Sequence, residues 1–112
     1  MEKEDIIAAF ETEFQDPGAI KSGEYLEEHI FNVARDIVTK DRLGLIVVMR
    51  EWLALRKEPE TMLAVSVAKE MKLAELTEDL HALRIDIEQL KLFMPWYVRR
   101  IDQALAVIVD HK

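Results

Sequence analysis

The sequence predicts an all-α protein, because apolar residues recur at helical spacing along nearly the whole chain. Only three glycines and three prolines interrupt its 112 residues. Two of these prolines, Pro59 and Pro95, stand between apolar stretches of similar length. Together these observations predict about six helices joined by short turns.

The first three predicted helices are bounded by turn and capping residues. The first spans residues 3–15 and stops at the turn sequence of residues 16–18, Asp-Pro-Gly. Ser22 caps the second, which ends near Thr39. Asp41 caps the third, residues 42–57, because its carboxylate accepts backbone amides and matches the positive helix end. The stripes predicted to be buried on the first two helices are Ile6, Ile7, Phe10 and Phe14, then Leu26, Ile30, Val33 and Ile37.

Proline begins two of the later helices, since its missing amide would be unpaired in the first turn. Pro59 opens the fourth helix, which reaches about residue 72, and Pro95 opens the sixth. Thr77 caps the fifth helix, where Glu78 follows it. The predicted stripes are Leu76, Leu80, Leu83, Ile87 and Leu90 on the fifth helix, and Tyr97, Ile101, Ala104 and Ile108 on the sixth.

One segment is also compatible with β structure. Residues 43–49, LGLIVVM, have the β-branched content of a buried strand. The helical interpretation is favoured, because Asp41 caps the run and EWLALRK continues it with no turn signal.

The helices repeat in pairs. When the chain is shifted by 37 residues, apolar positions of the third and fourth helices coincide with apolar positions of the fifth and sixth. A second shift gives a third, more diverged pair. Paired helices of this kind stack to bury a continuous core, so the central pair should be apolar nearly all round. The matched positions are Leu43, Ile46, Val48, Leu53 and Leu55 with Leu80, Leu83, Ile85, Leu90 and Leu92, and Val67, Ala68 and Met71 with Ala104, Leu105 and Ile108.

The hairpin length and the proline between paired helices, in LRKEPETMLAV and LKLFMPWYVRRI, resemble a short HEAT-like or armadillo-like α-α superhelix. The resemblance implies a right-handed superhelix of three stacked helical hairpins. It also implies the binding of other macromolecules through a curved face, and no reaction. We expect one helical-repeat domain over residues 1–112, since this length suits a single core.

Composition narrows the location and the class of partner. Without cysteine there is neither a disulfide framework nor a thiolate metal site, so a cytoplasmic location is expected. The acidic amino terminus is unlike a targeting segment, and residues 43–49 are too short to span a membrane. A formal charge of −7 disfavours nucleic acid and anionic lipid as partners, and favours a protein with a basic surface.

The sequence gives little support for a catalytic site or a metal site. Glu78-x-x-His81 has the spacing of a helical carboxylate–imidazole pair, but a diiron site needs a second pair. HEAT-like hydroxylases hold iron with His-Glu pairs, whereas this chain has only the reversed pair, Glu28-His29. No histidine is placed beside Ser22 or Ser66, and no glycine-rich phosphate loop exists. We therefore expect no enzyme activity, no cofactor and no metal.

Acidity is concentrated at the amino terminus. Residues 1–16 contain six acids and one lysine, whereas residues 41–74 contain six bases and five acids. These acids either keep the end of a helical stack soluble or steer a basic protein towards it. Trp96 and Arg100 lie beside the predicted stripe of the last helix, and they either form a partner-facing pair or pack at the edge of the core.

The leading functional hypothesis is a noncatalytic protein-binding module, and within that class an immunity-type inhibitor of a cytotoxic, basic, nuclease-like protein. The main alternative is a structural scaffold that stacks with itself. A nucleic-acid-binding HEAT-like domain is a third class, which the charge disfavours. The residues predicted to bind a partner are Glu24, Glu27, Glu28, Lys69, Glu70, Trp96, Arg99 and Arg100.

Overall fold

Helices account for all the regular structure described in the chain. A computed structural model describes residues 2–15, 23–90, 93 and 96–111, and the side chains of these residues except at 13–15, 23–27, 58, 59, 90, 110 and 111. Within these residues there is no strand, so the predicted all-α class is confirmed. The helices are α1 (Lys3–Gln15), α2 (Gly23–Leu55), α3 (Glu58–Glu70), α4 (Thr77–Leu90) and α5 (Tyr97–His111), and a 3₁₀ turn (Ala74–Leu76) precedes α4.

The chain divides into two compact units, unit 1 with residues 1–48 and unit 2 with residues 49–112. Each has its own set of buried apolar side chains. In unit 1 these are Ile6, Phe10, Ile30, Ala34, Ile37, Leu45, Ile46 and Val48. In unit 2 they include Leu53, Met62, Val65, Leu73, Leu76, Leu80, Leu83, Ile87, Ile101, Leu105 and Ile108. The single repeat domain over residues 1–112 stays a prediction.

The second and third predicted helices meet at a kink within α2. The backbone at this kink is non-helical at Asp41, with φ −156° and ψ 79°. The Asp41 Oδ1 accepts a hydrogen bond of 3.0 Å from the backbone N–H of Gly44, and this bond lowers the pKa of the Asp41 carboxyl. The predicted cap is therefore confirmed at the predicted residue. Residues 43–49, the segment also compatible with a strand, are helical.

Gly44 provides the space that this cap needs. A Cβ atom added to Gly44 would lie 2.5 Å from Asp41 Oδ2 and 2.9 Å from Ile6 Cδ1. Both distances are shorter than van der Waals contact. The missing side chain therefore lets the capping carboxylate and α1 approach α2 at the same point.

The connection from α2 to α3 is held by two side chains. Arg56 has a left-handed backbone with φ 55°, and its Nη1 donates a hydrogen bond of 2.8 Å to the carbonyl of Leu53. Thr61 is fully buried, and its hydroxyl donates 2.8 Å to the carbonyl of Trp52. Both carbonyls belong to the last turn of α2, where few backbone amides remain as donors, and the Leu53 carbonyl also accepts the backbone N–H of Arg56 at 3.4 Å. As predicted, α3 begins with proline in its first turn.

Two predicted helix ends differ from those in the structure. The fourth predicted helix ends at Glu70 instead of residue 72, because Lys72 adopts φ 52° and closes α3. Thr77 is not an N-cap, because it is already helical with φ −55° and ψ −48°. Its hydroxyl donates 2.7 Å back to the carbonyl of Ala74 in the 3₁₀ turn. That turn leads directly into α4, which leaves no extended capping residue between them.

The predicted stripes of α4 and α5 are confirmed wherever their side chains are described. Leu76, Leu80, Leu83 and Ile87 are at most 3% exposed, and Tyr97, Ile101, Ala104 and Ile108 are at most 7% exposed. In unit 2, α5 packs against both α3 and α4. On the earlier helices Ile6, Phe10, Ile30 and Ile37 are buried as predicted, while Ile7 and Val33 are half-buried.

Burial agrees with the proposed 37-residue repeat at only some of the matched positions. Ile46 and Leu83 are both buried, as are Val67 and Ala104. Leu43 is 73% exposed where its match Leu80 is buried, and Val48 is buried where its match Ile85 is 49% exposed. The central helix pair is therefore less completely covered than the sequence predicted, since Leu43, Val47 and Leu55 face solvent.

Several predicted features lie outside the described residues: the turn at 16–18, the Ser22 cap, and Pro95 as the start of the last helix. The side chains of Phe14, Leu26 and Leu90 also lie outside them. Among the helices that are described, none combines the length and the apolar character needed to cross a bilayer.

Candidate functional site

Three aromatic side chains lie together where α5 begins. Tyr97 is buried and packs edge-on against Phe93, with ring centroids 5.9 Å apart and planes at 78°. The Trp96 ring lies over Tyr97, with centroids 4.1 Å apart, yet it remains 57% exposed. Tyr97 anchors the cluster to the core, which leaves Trp96 as its solvent-facing member.

Trp96 lies at one end of a shallow concavity along the first turns of α5. Its volume is about 730 Å³. The spacing of the lining residues follows the helical repeat, so they form one face of the helix and the turn before it. They are Trp96, Val98, Arg99, Asp102, Gln103 and Ala106.

The acidic residue of this concavity is already engaged by α4. Asp102 Oδ1 accepts a hydrogen bond of 2.7 Å from Arg84 Nε, and Arg84 Nη1 lies 2.9 Å from Glu88 Oε1. The hydrogen bond to Asp102 raises the pKa of the Arg84 guanidinium. Arg99 and Arg100 are exposed, and within the part of the chain that the structure describes neither makes an ion pair. The available charge on this face is therefore positive.

Of the predicted partner-binding residues, the structure brings Trp96 and Arg99 together in the concavity of α5. Arg100 is exposed on the same helix and follows Arg99 directly. Lys69 and Glu70 are on α3, where Lys69 is half-buried and Glu70 is exposed. The remaining predicted residues belong to unit 1: Glu28 is exposed, and the side chains of Glu24 and Glu27 lie outside the described residues.

Unit 1 carries most of the net charge. It contains eleven acids and five bases, whereas unit 2 contains eleven acids and ten bases, so six of the seven net negative charges fall in residues 1–48. On α1, Glu4, Ala8 and Glu11 are exposed and lie on one stripe, opposite the buried Ile6 and Phe10. We call Glu4, Ala8 and Glu11 the acidic α1 face.

A second concavity, of about 600 Å³, lies between α2 and α4 in unit 2. Arg50 Nε lies 3.2 Å from Asp79 Oδ2, and Arg50 Nη2 donates 3.0 Å to the carbonyl of Glu75. Sequence reasoning missed this cluster, because 29 residues separate Arg50 from Asp79 and no local pattern joins them. Since its guanidinium already bridges two acceptors, Arg50 ties helices together at this concavity.

Metal binding has no evident centre among the described residues. No group of three or more histidine, aspartate or glutamate side chains there could hold a metal ion. Glu78 and His81, the pair with metal-ligand spacing, are both exposed on α4. The described surface offers charge and apolar area for contact.

Comparison with known proteins finds no matching family model and no curated protein or solved structure with significant similarity to this chain.

Proposed function

We propose that this protein is a noncatalytic protein-binding module that uses unit 1 to bind a protein with a basic surface. The observation that carries the proposal is the concentration of six net negative charges in residues 1–48. A surface of one sign speeds the encounter with an oppositely charged partner and disfavours partners of like charge.

The acidic α1 face is the part of unit 1 best placed to meet such a partner. Its carboxylates project from the side of α1 opposite the buried Ile6 and Phe10, so a partner can reach them without disturbing the core. Glu28 adds an exposed carboxylate on α2. Within this class we favour an immunity-type inhibitor of a basic, nuclease-like cytotoxic protein, since a small acidic binder suits a basic enzyme surface.

We further propose that stacked helical hairpins, in a right-handed HEAT-like superhelix, form the framework of the module. Two ion pairs in unit 2 support this arrangement: Arg50 with Asp79, and Arg56 with Asp86. Arg50 precedes Arg56 in the chain, and their partners follow the same order, since Asp79 precedes Asp86. The end of α2 and α4 therefore run in the same direction. The packing of α5 against α3 also suits adjacent hairpins, whose equivalent helices would touch.

A binding experiment tests the proposed function. Proteins captured from the native host are identified and purified, and their association rates with this protein are measured at several salt concentrations. We expect a basic partner whose association rate falls about tenfold in the variant Glu4→Gln/Glu11→Gln and falls with salt, because exposed charges act mainly on the encounter rate.

The matched control is Glu60→Gln/Glu78→Gln, which removes two acids from unit 2 and should leave the rate within about twofold, since both lie outside the acidic α1 face. An acidic partner, or equal losses in the two variants, would contradict the proposal. Inhibition of a purified basic nuclease by this protein alone would support the immunity-type function. Failure to inhibit any nuclease among its purified partners would contradict it.

A further inference from the structure

The Trp–Arg face, which we define as Trp96, Arg99 and Arg100, has an electrostatic character opposite to that of unit 1. Trp96 exposes more than half of its surface beside a concavity, and both arginines are exposed. The nearby Asp102 is held by Arg84, so its charge is largely satisfied within unit 2. Tryptophan and arginine are the residues that most often dominate protein–protein binding energy.

The chain itself carries a surface complementary to this face in charge. On the acidic α1 face, Glu4 and Glu11 flank Ala8 on one stripe, and all three are exposed. At a rise of about 1.5 Å per residue the two glutamates lie about 10 Å apart along α1, with only a methyl group between them. That gap can receive a large flat ring while arginines beside the ring reach the carboxylates.

We propose that the Trp–Arg face of one copy binds the acidic α1 face of a second copy. Charge complementarity favours a second copy as the occupant, because every copy carries both a basic Trp–Arg face and an acidic α1 face. The contact is heterologous, since two different surfaces meet, so it produces either a closed ring or an open chain of copies. This inference goes beyond the proposed function, because it requires no other protein.

Sedimentation and light scattering of the purified protein across a wide concentration range test the inference. We expect association at about 0.05 M salt that weakens markedly at about 0.5 M, because exposed charge pairs are screened. The variants Arg99→Glu/Arg100→Glu and Glu4→Lys/Glu11→Lys should each associate about tenfold or more weakly, since each makes both faces carry the same sign. Trp96→Ala should weaken association by a similar factor.

Mixing the two charge-reversed variants provides the decisive measurement. In the mixture, the acidic α1 face of Arg99→Glu/Arg100→Glu can meet the basic Trp–Arg face of Glu4→Lys/Glu11→Lys. The reversed, basic α1 face of the second variant can likewise meet the reversed, acidic Trp–Arg face of the first. We therefore expect association to return on mixing. The control Lys40→Glu/Lys57→Glu changes the net charge as much as Arg99→Glu/Arg100→Glu but should associate like the natural protein, because both lysines lie outside the two faces.

A protein that stays monomeric at low salt and high concentration would overturn the inference, and so would a mixture that fails to associate. Circular dichroism of each variant shows whether it is folded. Because these measurements use the purified protein alone, their failure would leave the proposed binding of a basic partner standing. Failure of the partner experiment would likewise leave the self-association result unaffected.

Discussion

At the scale of single residues, Arg56 and Lys72 follow helix ends with a left-handed backbone that usually belongs to glycine. Lys72, with φ 52°, follows α3, and its N–H donates 3.3 Å to the carbonyl of Lys69. The next N–H, of Leu73, donates 2.9 Å to the carbonyl of Ala68. This pair of bonds is a Schellman motif, in which the left-handed residue is most often glycine. Leu73, at the position where this motif usually places an apolar residue, is fully buried.

We predict that Lys72→Gly stabilises the protein by about 0.5–1 kcal/mol, because glycine adopts the left-handed conformation without the steric cost borne by other residues. Urea denaturation measures the change in the free energy of unfolding. Lys57→Gly is the matched control, since Lys57 has an extended backbone with φ −106° and ψ 126°. The control should change the free energy of unfolding by less than about 0.5 kcal/mol, because the greater freedom of the unfolded chain is offset by the preference for glycine at the N-cap of α3, which Lys57 occupies. Destabilisation by both substitutions would contradict the prediction.

At the scale of elements, α2 depends on a cap within its own length. Asp41 interrupts the helical backbone and accepts the Gly44 N–H, while Gly44 leaves room for both the carboxylate and Ile6 of α1. Glycine normally weakens a helix by about 1 kcal/mol relative to alanine. At this position the close approach of α1 outweighs that intrinsic preference.

We predict that Gly44→Ala destabilises the protein by about 1–3 kcal/mol, because the new methyl group would overlap Asp41 and Ile6. The loss should be smaller in an Asp41→Ala background, where one of the two overlaps is absent and the helix preference of alanine is regained. Urea denaturation of the natural protein, both single variants and the double variant gives this comparison. An equal loss in the two backgrounds would show that the cap carboxylate does not set the requirement for glycine.

At the scale of the whole molecule, arginine–carboxylate pairs join helices that are distant in sequence within unit 2. Arg56 Nε and Nη2 lie 2.9 Å and 2.8 Å from Asp86 Oδ2, which links the end of α2 to α4. Arg84 links α4 to α5 through Asp102. The Arg56 and Asp86 side chains are only 24% and 34% exposed, so solvent screens this pair less than the surface pairs of the chain.

We predict that Asp86→Ala lowers the free energy of unfolding by about 1 kcal/mol, because Arg56 loses its partner in a partly buried position. The matched control is Asp36→Ala, which breaks an i,i+4 pair with Lys40 whose side chains are more than 60% exposed. Its effect should stay below about 0.5 kcal/mol. Both substitutions introduce the same helix-favouring residue. The difference between their effects on the free energy of unfolding, measured by urea denaturation, therefore gives the contribution of the Arg56–Asp86 pair. Equal effects would contradict a structural role for the Arg56–Asp86 link.

The sequence by itself determined the features that depend on neighbours a few residues apart. The helical class, the Asp41 cap, proline in the first turn of α3 and the buried stripe through Tyr97 and Ile101 all follow from local spacing and capping chemistry. The same spacing placed Trp96 beside that stripe, where the structure exposes it. For this reason part of the candidate site could be predicted.

Only the tertiary structure decided which distant residues meet. The pairing of Arg50 with Asp79, the engagement of Asp102 by Arg84 and the exposure of Leu43 depend on how helices pack, and no local pattern encodes them. Lys72 closes α3 with a left-handed backbone that lysine does not favour, so residue preference did not predict this helix end. Local spacing fixes which side of each helix is apolar, whereas burial and ion pairing require a partner surface that only the folded chain supplies.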